Sequence, residues 1–264
     1  MRVLLLSLVG CSGPVGDVVV TAWGEEAATV GYTASQTDGW DIDLDHFVSA
    51  VGRVALADRR REREVASIDG PWVIDWTRWA SPAGLGRLEA QAERFHVGFD
   101  LVIPDPGSEA MGQVDDSVIE EMMAQGWAHH VAGTATDGVR VIHFAWGFDS
   151  PTRHTECENG EDRTQGIAVP VGGEARLQVT MHVDHLFWRT LGTEESPLAF
   201  QGIADADEDD DGEVTVDELR ARSVAEAGYE TSGVNVQDLY AFIRYSLARA
   251  AHLNGAGLCR VQAL

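Results

Sequence analysis

Between Asp17 and Asp184 the chain passes from apolar to polar and back with a period of two, and that rhythm restricts the region to β-structure. WDIDLDHFV (Trp40 to Val48) and FHVGFDLVIP (Phe95 to Pro104) alternate as half-buried strands do. In the second, Phe95, Val97, Phe99 and Leu101 share one face. Asp137-Gly138 and Gly172-Gly173 each separate two strand-like runs, where a hairpin needs residues that tolerate positive φ. Strands at this spacing predict a β-sandwich. One helix interrupts them: DDSVIEEMMAQG offers Asp115 or Asp116 as N-cap, Ile119, Met122 and Met123 as an apolar stripe and Gly126 as stop.

After Trp188 the period lengthens towards 3.6. PLAFQGIADA and VDELRARSVAEA flank an acidic stretch. NVQDLYAFIRYSLARAAHL then puts Leu239, Phe242, Ile243 and Leu247 on one helical face, with Asn235 as cap. The expectation is an α+β chain in three parts: a lipoprotein signal peptide over 1–10, a β-rich sandwich domain over 11–189, and a helical module over 190–264.

The acidic stretch, DADEDDDGEVTVDE from Asp205 to Glu218, holds nine carboxylates in fourteen residues. With Gly212 at position six, Asp207, Asp209 and Asp211 fall at positions one, three and five of an EF-hand calcium loop. Glu213 falls at seven, Thr215 at nine and Glu218 at twelve. Short Asp side chains bring oxygens to one point, Gly212 permits the sharp turn, and Glu218 reaches back with both oxygens. Val214 at position eight supplies an apolar anchor, and Thr215 with Glu218 forms a T-x-x-E capping box. Hard oxygens in this number suit calcium over magnesium or zinc. No second loop of this pattern is present, which points to a structural site rather than a switch.

Arg2, the apolar run Val3 to Val9 and LVGC (Leu8 to Cys11) resemble a bacterial lipobox, in which Cys11 is lipidated. The expected location is therefore the cell envelope, periplasmic or surface-exposed, with membrane attachment through lipid alone. Two cysteines remain, Cys157 and Cys259, and an even remainder in an exported protein predicts a disulfide. A net charge of −24 excludes nucleic acid as a partner and favours cations. All 19 basic residues are Arg, so Schiff-base, P-loop and Ser-Lys chemistry are excluded.

A second metal, copper or zinc, has candidate ligands among the histidines. TMHVDHLFW places His182 and Asp184 on one strand face and His185 on the other, unless Asp184 caps a short helix that brings His182 and His185 together. GWAHHVAG places Trp127 and His129 on one face, and His143 lies on the partner strand of the predicted hairpin.

DGWDIDLDHFVSAVGRVAL, GFDSPTRHTEC, TMHVDHLFW and IADADEDDDGEVTVDEL together resemble a group of predicted bacterial surface lipoproteins. These join an N-terminal β domain to a C-terminal EF-hand-type loop, and the resemblance implies no assigned reaction. FVSAVGRVAL, MAQGWAHHVAG and VIHFAWGFDSPTRHTEC are similar to the methanobactin-associated periplasmic copper-binding family. That resemblance implies copper held by histidines and an oxidised Trp in a W-x-H arrangement, a spacing met by Trp127-Ala128-His129. The expected function is a calcium-binding, lipid-anchored envelope protein without catalytic activity. The alternatives are a copper or transition-metal binder and, since no G-x-S-x-G, H-E-x-x-H or C-x-x-C occurs, a hydrolase with a scattered site.

Overall fold

The computed structural model describes residues 13–60, 63–79, 81–193 and 195–264. The expected signal peptide and Cys11 lie outside them. The protein is mostly β, with 43% strand and 17% helix, in a large sheet curled into a half-barrel and a smaller sheet.

The smaller sheet has four strands in the order β14 (Ala251–Leu253), β12 (Glu174–Met181), β1 (Val15–Trp23) and β5 (Ala83–Gln91). β1 and β12 run parallel; the other pairs are antiparallel. The large sheet has eleven. Its path is β13 (Glu213–Val214), β9 (Val141–Phe148), β8 (His129–Thr136), β2 (Asp41–Asp58), β6 (Arg94–Val102), β10 (Thr152–Thr155) and β15 (Arg260–Ala263). β3 (Glu64–Ile68) and β4 (Trp72–Asp75) attach to β2, β7 (Glu109–Met111) to β4, and β11 (Ile167–Ala168) to β6.

β2 is the spine. Its register slips between Leu44 and His46 against β8 and between Val51 and Val54 against β6. Such bulges bend a strand and increase its twist, which accounts for the curl. The inward faces of both sheets share one core that includes Val20, Leu177, Ile42, Phe99, Trp146 and Phe148. A second, smaller cluster lies behind β2, where Val48, Ala50 and Val73 meet Met122 of the first long helix. The centre of β2 is therefore buried on both sides, which is why FVSAVG reads as a continuous rather than alternating run.

Among the described residues there are five α-helices: α1 (Glu25–Val30), α2 (Asp116–Gln125), α3 (Gln201–Ala204), α4 (Val216–Ala221) and α5 (Leu239–Leu247). α2 forms as the sequence predicts. The Asp115 carboxylate accepts from the Ser117 backbone N–H at 2.9 Å, and Gly126 ends the helix at φ +72°. The Asp137-Gly138 hairpin also forms, joining β8 to β9, with the Asp137 carboxylate accepting from the N–H groups of Val139 and Arg140.

Two expectations are corrected. Gly172-Gly173 does not close a hairpin: β11 before it joins the large sheet and β12 after it joins the small one, so this turn carries the chain between sheets. Nor, among the described residues, is there a helical C-terminal domain. α3, α4 and α5 span four, six and nine residues, and β13, β14 and β15 enter the two sheets beside them. The 3.6-residue pattern is real over α5, whose Leu239, Phe242, Ile243 and Leu247 are buried in the common core. It ends sooner than the sequence suggests. Asp238, not Asn235, caps the helix, its carboxylate accepting from Ala241 N–H at 2.8 Å. Past Leu247, Ala251-His252-Leu253 extends as a strand because β12 offers it an edge, and tertiary pairing overrides helix propensity.

Candidate metal sites

The acidic loop forms a compact turn. Asp207 accepts from the backbone N–H groups of Asp211 and Gly212 at 3.2 and 3.1 Å, and Asp211 accepts from Glu213 N–H at 2.8 Å. Gly212 has φ +82°, the left-handed conformation for which glycine is placed there. Asp207, Asp209 and Asp211 each offer one carboxylate oxygen, all within 4.8 Å of one another, a spacing that can hold a cation. The capping box is present in both directions. Glu218 N–H donates to Thr215 Oγ1, while one Glu218 oxygen accepts from Thr215 N–H at 2.7 Å and Thr215 Oγ1 at 2.8 Å. Burial raises the Glu218 carboxyl, but these bonds and one from Glu208 N–H outweigh it and hold the group below the ordinary glutamate range.

Position eight has a partner within the same chain. β13 pairs in parallel with β9, Glu213 beside His143 and Val214 beside Phe144. The Val214 side chain is fully buried, and its carbonyl accepts from the Trp146 indole N–H at 2.7 Å. The loop thus joins the edge of the large sheet instead of pairing with a second loop.

A second cluster lies near the ends of β12 and β14. β12 stops at Met181, and a 3₁₀ turn over Val183–Leu186 follows, with His182 at its N-cap. In 3₁₀ geometry residues three apart eclipse one another, so His182 and His185 converge, their rings 6.2 Å apart. His182, not Asp184, caps the turn, which abolishes the opposite-face placement of His185. Strand pairing adds His252, opposite Thr180 on β14. Its ring lies 4.3 Å from that of His182 and 5.6 Å from that of His185. His182, His185 and His252 border a cavity of about 560 Å³, together with Glu25, Tyr32 and Asp184. The Trp188 ring lies against that of His185, tilted by 31°, and donates its indole N–H to Asp184 at 2.8 Å. Burial lowers His185 to about 4 and, with repulsion from His182 and His185, lowers His252 to about 2.

The other candidates stand apart from that cavity. The His129 Nδ1 bonds Ser49 Oγ at 2.7 Å inside the protein. Trp127 stacks not on His129 but on His130, whose Nδ1 lies 2.7 Å from His46 Nε2. Gly147 is required by this arrangement, since a Cβ there would lie 1.9 Å from the Trp127 ring. His143 is exposed beside the acidic loop, its Nδ1 3.1 Å from Thr134 Oγ1. The structure therefore brings His182, Asp184 and His185 together and leaves Trp127, His129 and His143 elsewhere.

Glu25, Tyr32 and His252 are the members that sequence reading missed. His252 lay within an apparent helix, and the only signal for it was a lone imidazole among the apolar residues Ala250, Ala251 and Leu253. Cys157 and Cys259 form the expected disulfide, which suggests an extracytoplasmic protein. Among the described residues no helix is long and apolar enough to cross a membrane. Comparison with protein-family models, with curated proteins and with solved structures gives no match to this chain.

Proposed function

We propose that this chain is a calcium-binding envelope protein, anchored by lipid on Cys11, in which calcium at residues 207–218 has a structural role and no reaction is catalysed. The observation that carries the reading is the convergence of the Asp207, Asp209 and Asp211 oxygens on a loop zipped to the large sheet. In the bound loop Glu213 contributes its backbone carbonyl, Thr215 acts through water and Glu218 supplies both carboxylate oxygens. Ion binding then ties α3 and α4 to β9, and the gain appears as stability of the sheet edge. The disulfide and the resemblance to bacterial surface lipoproteins support the envelope location.

Titration calorimetry and thermal melting of the full chain test this. One calcium per chain is expected, with a higher melting temperature in calcium than in EGTA. At a hundredfold excess over Kd the added stability is about 2.7 kcal/mol, and Asp207→Asn or Glu218→Gln removes it. No heat at millimolar calcium, together with identical melting in EGTA, overturns the proposal.

A further inference from the structure

Three imidazoles border one cavity, and each is bonded through one ring nitrogen to the backbone. His182 Nε2, His185 Nδ1 and His252 Nε2 each lie 3.1 Å from a backbone carbonyl, of Gly255, Ser246 and Arg249 respectively. A carbonyl only accepts, so each of these nitrogens carries the ring proton. In the neutral rings the lone pairs are then on His182 Nδ1, His185 Nε2 and His252 Nδ1. Fixing one nitrogen on a carbonyl so that the other is presented as a donor to an ion is the usual support for metal-ligating histidine.

Two of those lone pairs lack a satisfactory protein partner. His252 is 7% exposed, and its Nδ1 is buried without a hydrogen bond. His182 Nδ1 lies 3.4 Å from the Glu25 carboxylate, where a neutral ring sets acceptor against acceptor and either a ring proton or a metal ion between them relieves the clash. Glu25 is held there at φ +62°, in the left-handed region that disfavours a residue with a side chain. Tyr32, which lines the same cavity, has a buried hydroxyl that is also unpartnered.

We propose that His182, His185, His252 and Glu25 form a site for one divalent transition metal of the zinc and copper class, separate from the calcium loop. Nitrogen donors with one carboxylate suit zinc or copper and disfavour calcium. Imidazoles around one tetrahedral ion, with bonds of about 2.0–2.1 Å, have ring centres about 5 Å apart, and the observed 4.3, 5.6 and 6.2 Å bracket that spacing. Among the described residues only the three aspartates already hold their donor atoms within 4.8 Å of one another. In the proposed site the imidazoles close on the ion by small side-chain rotations that pivot on the three carbonyl bonds. The cavity supplies the room and leaves the ion open to water or a small ligand on one side.

The test uses the full chain, stripped with EDTA and titrated with zinc by calorimetry and with cobalt(II) by visible absorption. The expected result is one zinc per chain at micromolar affinity or tighter, undisplaced by millimolar calcium, and an intense four-coordinate cobalt spectrum. His182→Gln and Glu25→Gln alter partly exposed side chains; each should weaken zinc at least tenfold, with unchanged far-ultraviolet circular dichroism. Asp207→Asn should leave zinc binding intact. Absence of stoichiometric zinc or cobalt binding overturns the site. So does binding that persists at full affinity in both the His182 and Glu25 variants, which would place the metal elsewhere on the chain.

Discussion

His129 and His154 are fully buried, and each has one ring nitrogen satisfied by a hydroxyl, Ser49 Oγ and Thr152 Oγ1 respectively. The other nitrogen, His129 Nε2 or His154 Nδ1, has no partner. Burial lowers both to about 3; repulsion from His129 and Arg249 adds to the effect on His154. In the unfolded chain they take up a proton near ~6.5. Between these values the unfolded state binds more protons than the folded one, so stability is complete above pH ~6.5 and declines as pH falls towards 3. Urea midpoints measured from pH 7.5 down to 4.5 should drop progressively. His154→Phe, which keeps a ring stacked 4.6 Å from Phe99, should flatten that slope by up to one proton, about 1.4 kcal/mol per pH unit. An unchanged slope would show that His154 titrates alike in both states.

Among the elements, β13 illustrates what sequence reading can and cannot reach. The acidic loop was legible because each of its positions demands a particular side chain, so residue type and spacing suffice. Its docking was not, since a strand of two residues has no periodicity and its partner β9 lies about seventy positions upstream. The disulfide, α2 and the Asp137-Gly138 hairpin were likewise local or countable features. The histidine cavity was half legible: TMHVDHLFW contains two of its imidazoles, but the third arrives only through the pairing of β14 with β12. Trp146→Phe tests the docking directly. It removes the indole N–H that serves the Val214 carbonyl and should cost about 1–3 kcal/mol, because that acceptor stays buried. Hydrogen exchange should quicken at the His143 amide, which donates to Gly212 O across the same junction. Unaltered exchange there would mean that β13 is held by other contacts.

For the whole molecule, β14 and β15 complete the edges of the two sheets. β15 lies along β10, and the Cys157–Cys259 bond sits just beyond the ends of that ladder, closing a separation of 102 residues. Loop closure on this scale stabilises a fold by up to about 4.7 kcal/mol in the chain-entropy model. Replacing both cysteines with Ala should cost about 2–5 kcal/mol, read as a lower urea midpoint. An equal midpoint for the double variant would assign the ladder, not the bond, to that role.

β13 is also a terminal strand of the large sheet, and it belongs to the segment where nine of fourteen residues are acidic. An open sheet margin invites strands from neighbouring copies, the first step towards fibrils. Here two approaching copies would confront each other with carboxylates across a margin only two residues long. One divalent ion neutralises a fraction of that charge, so crowding is resisted whether or not the ion is bound.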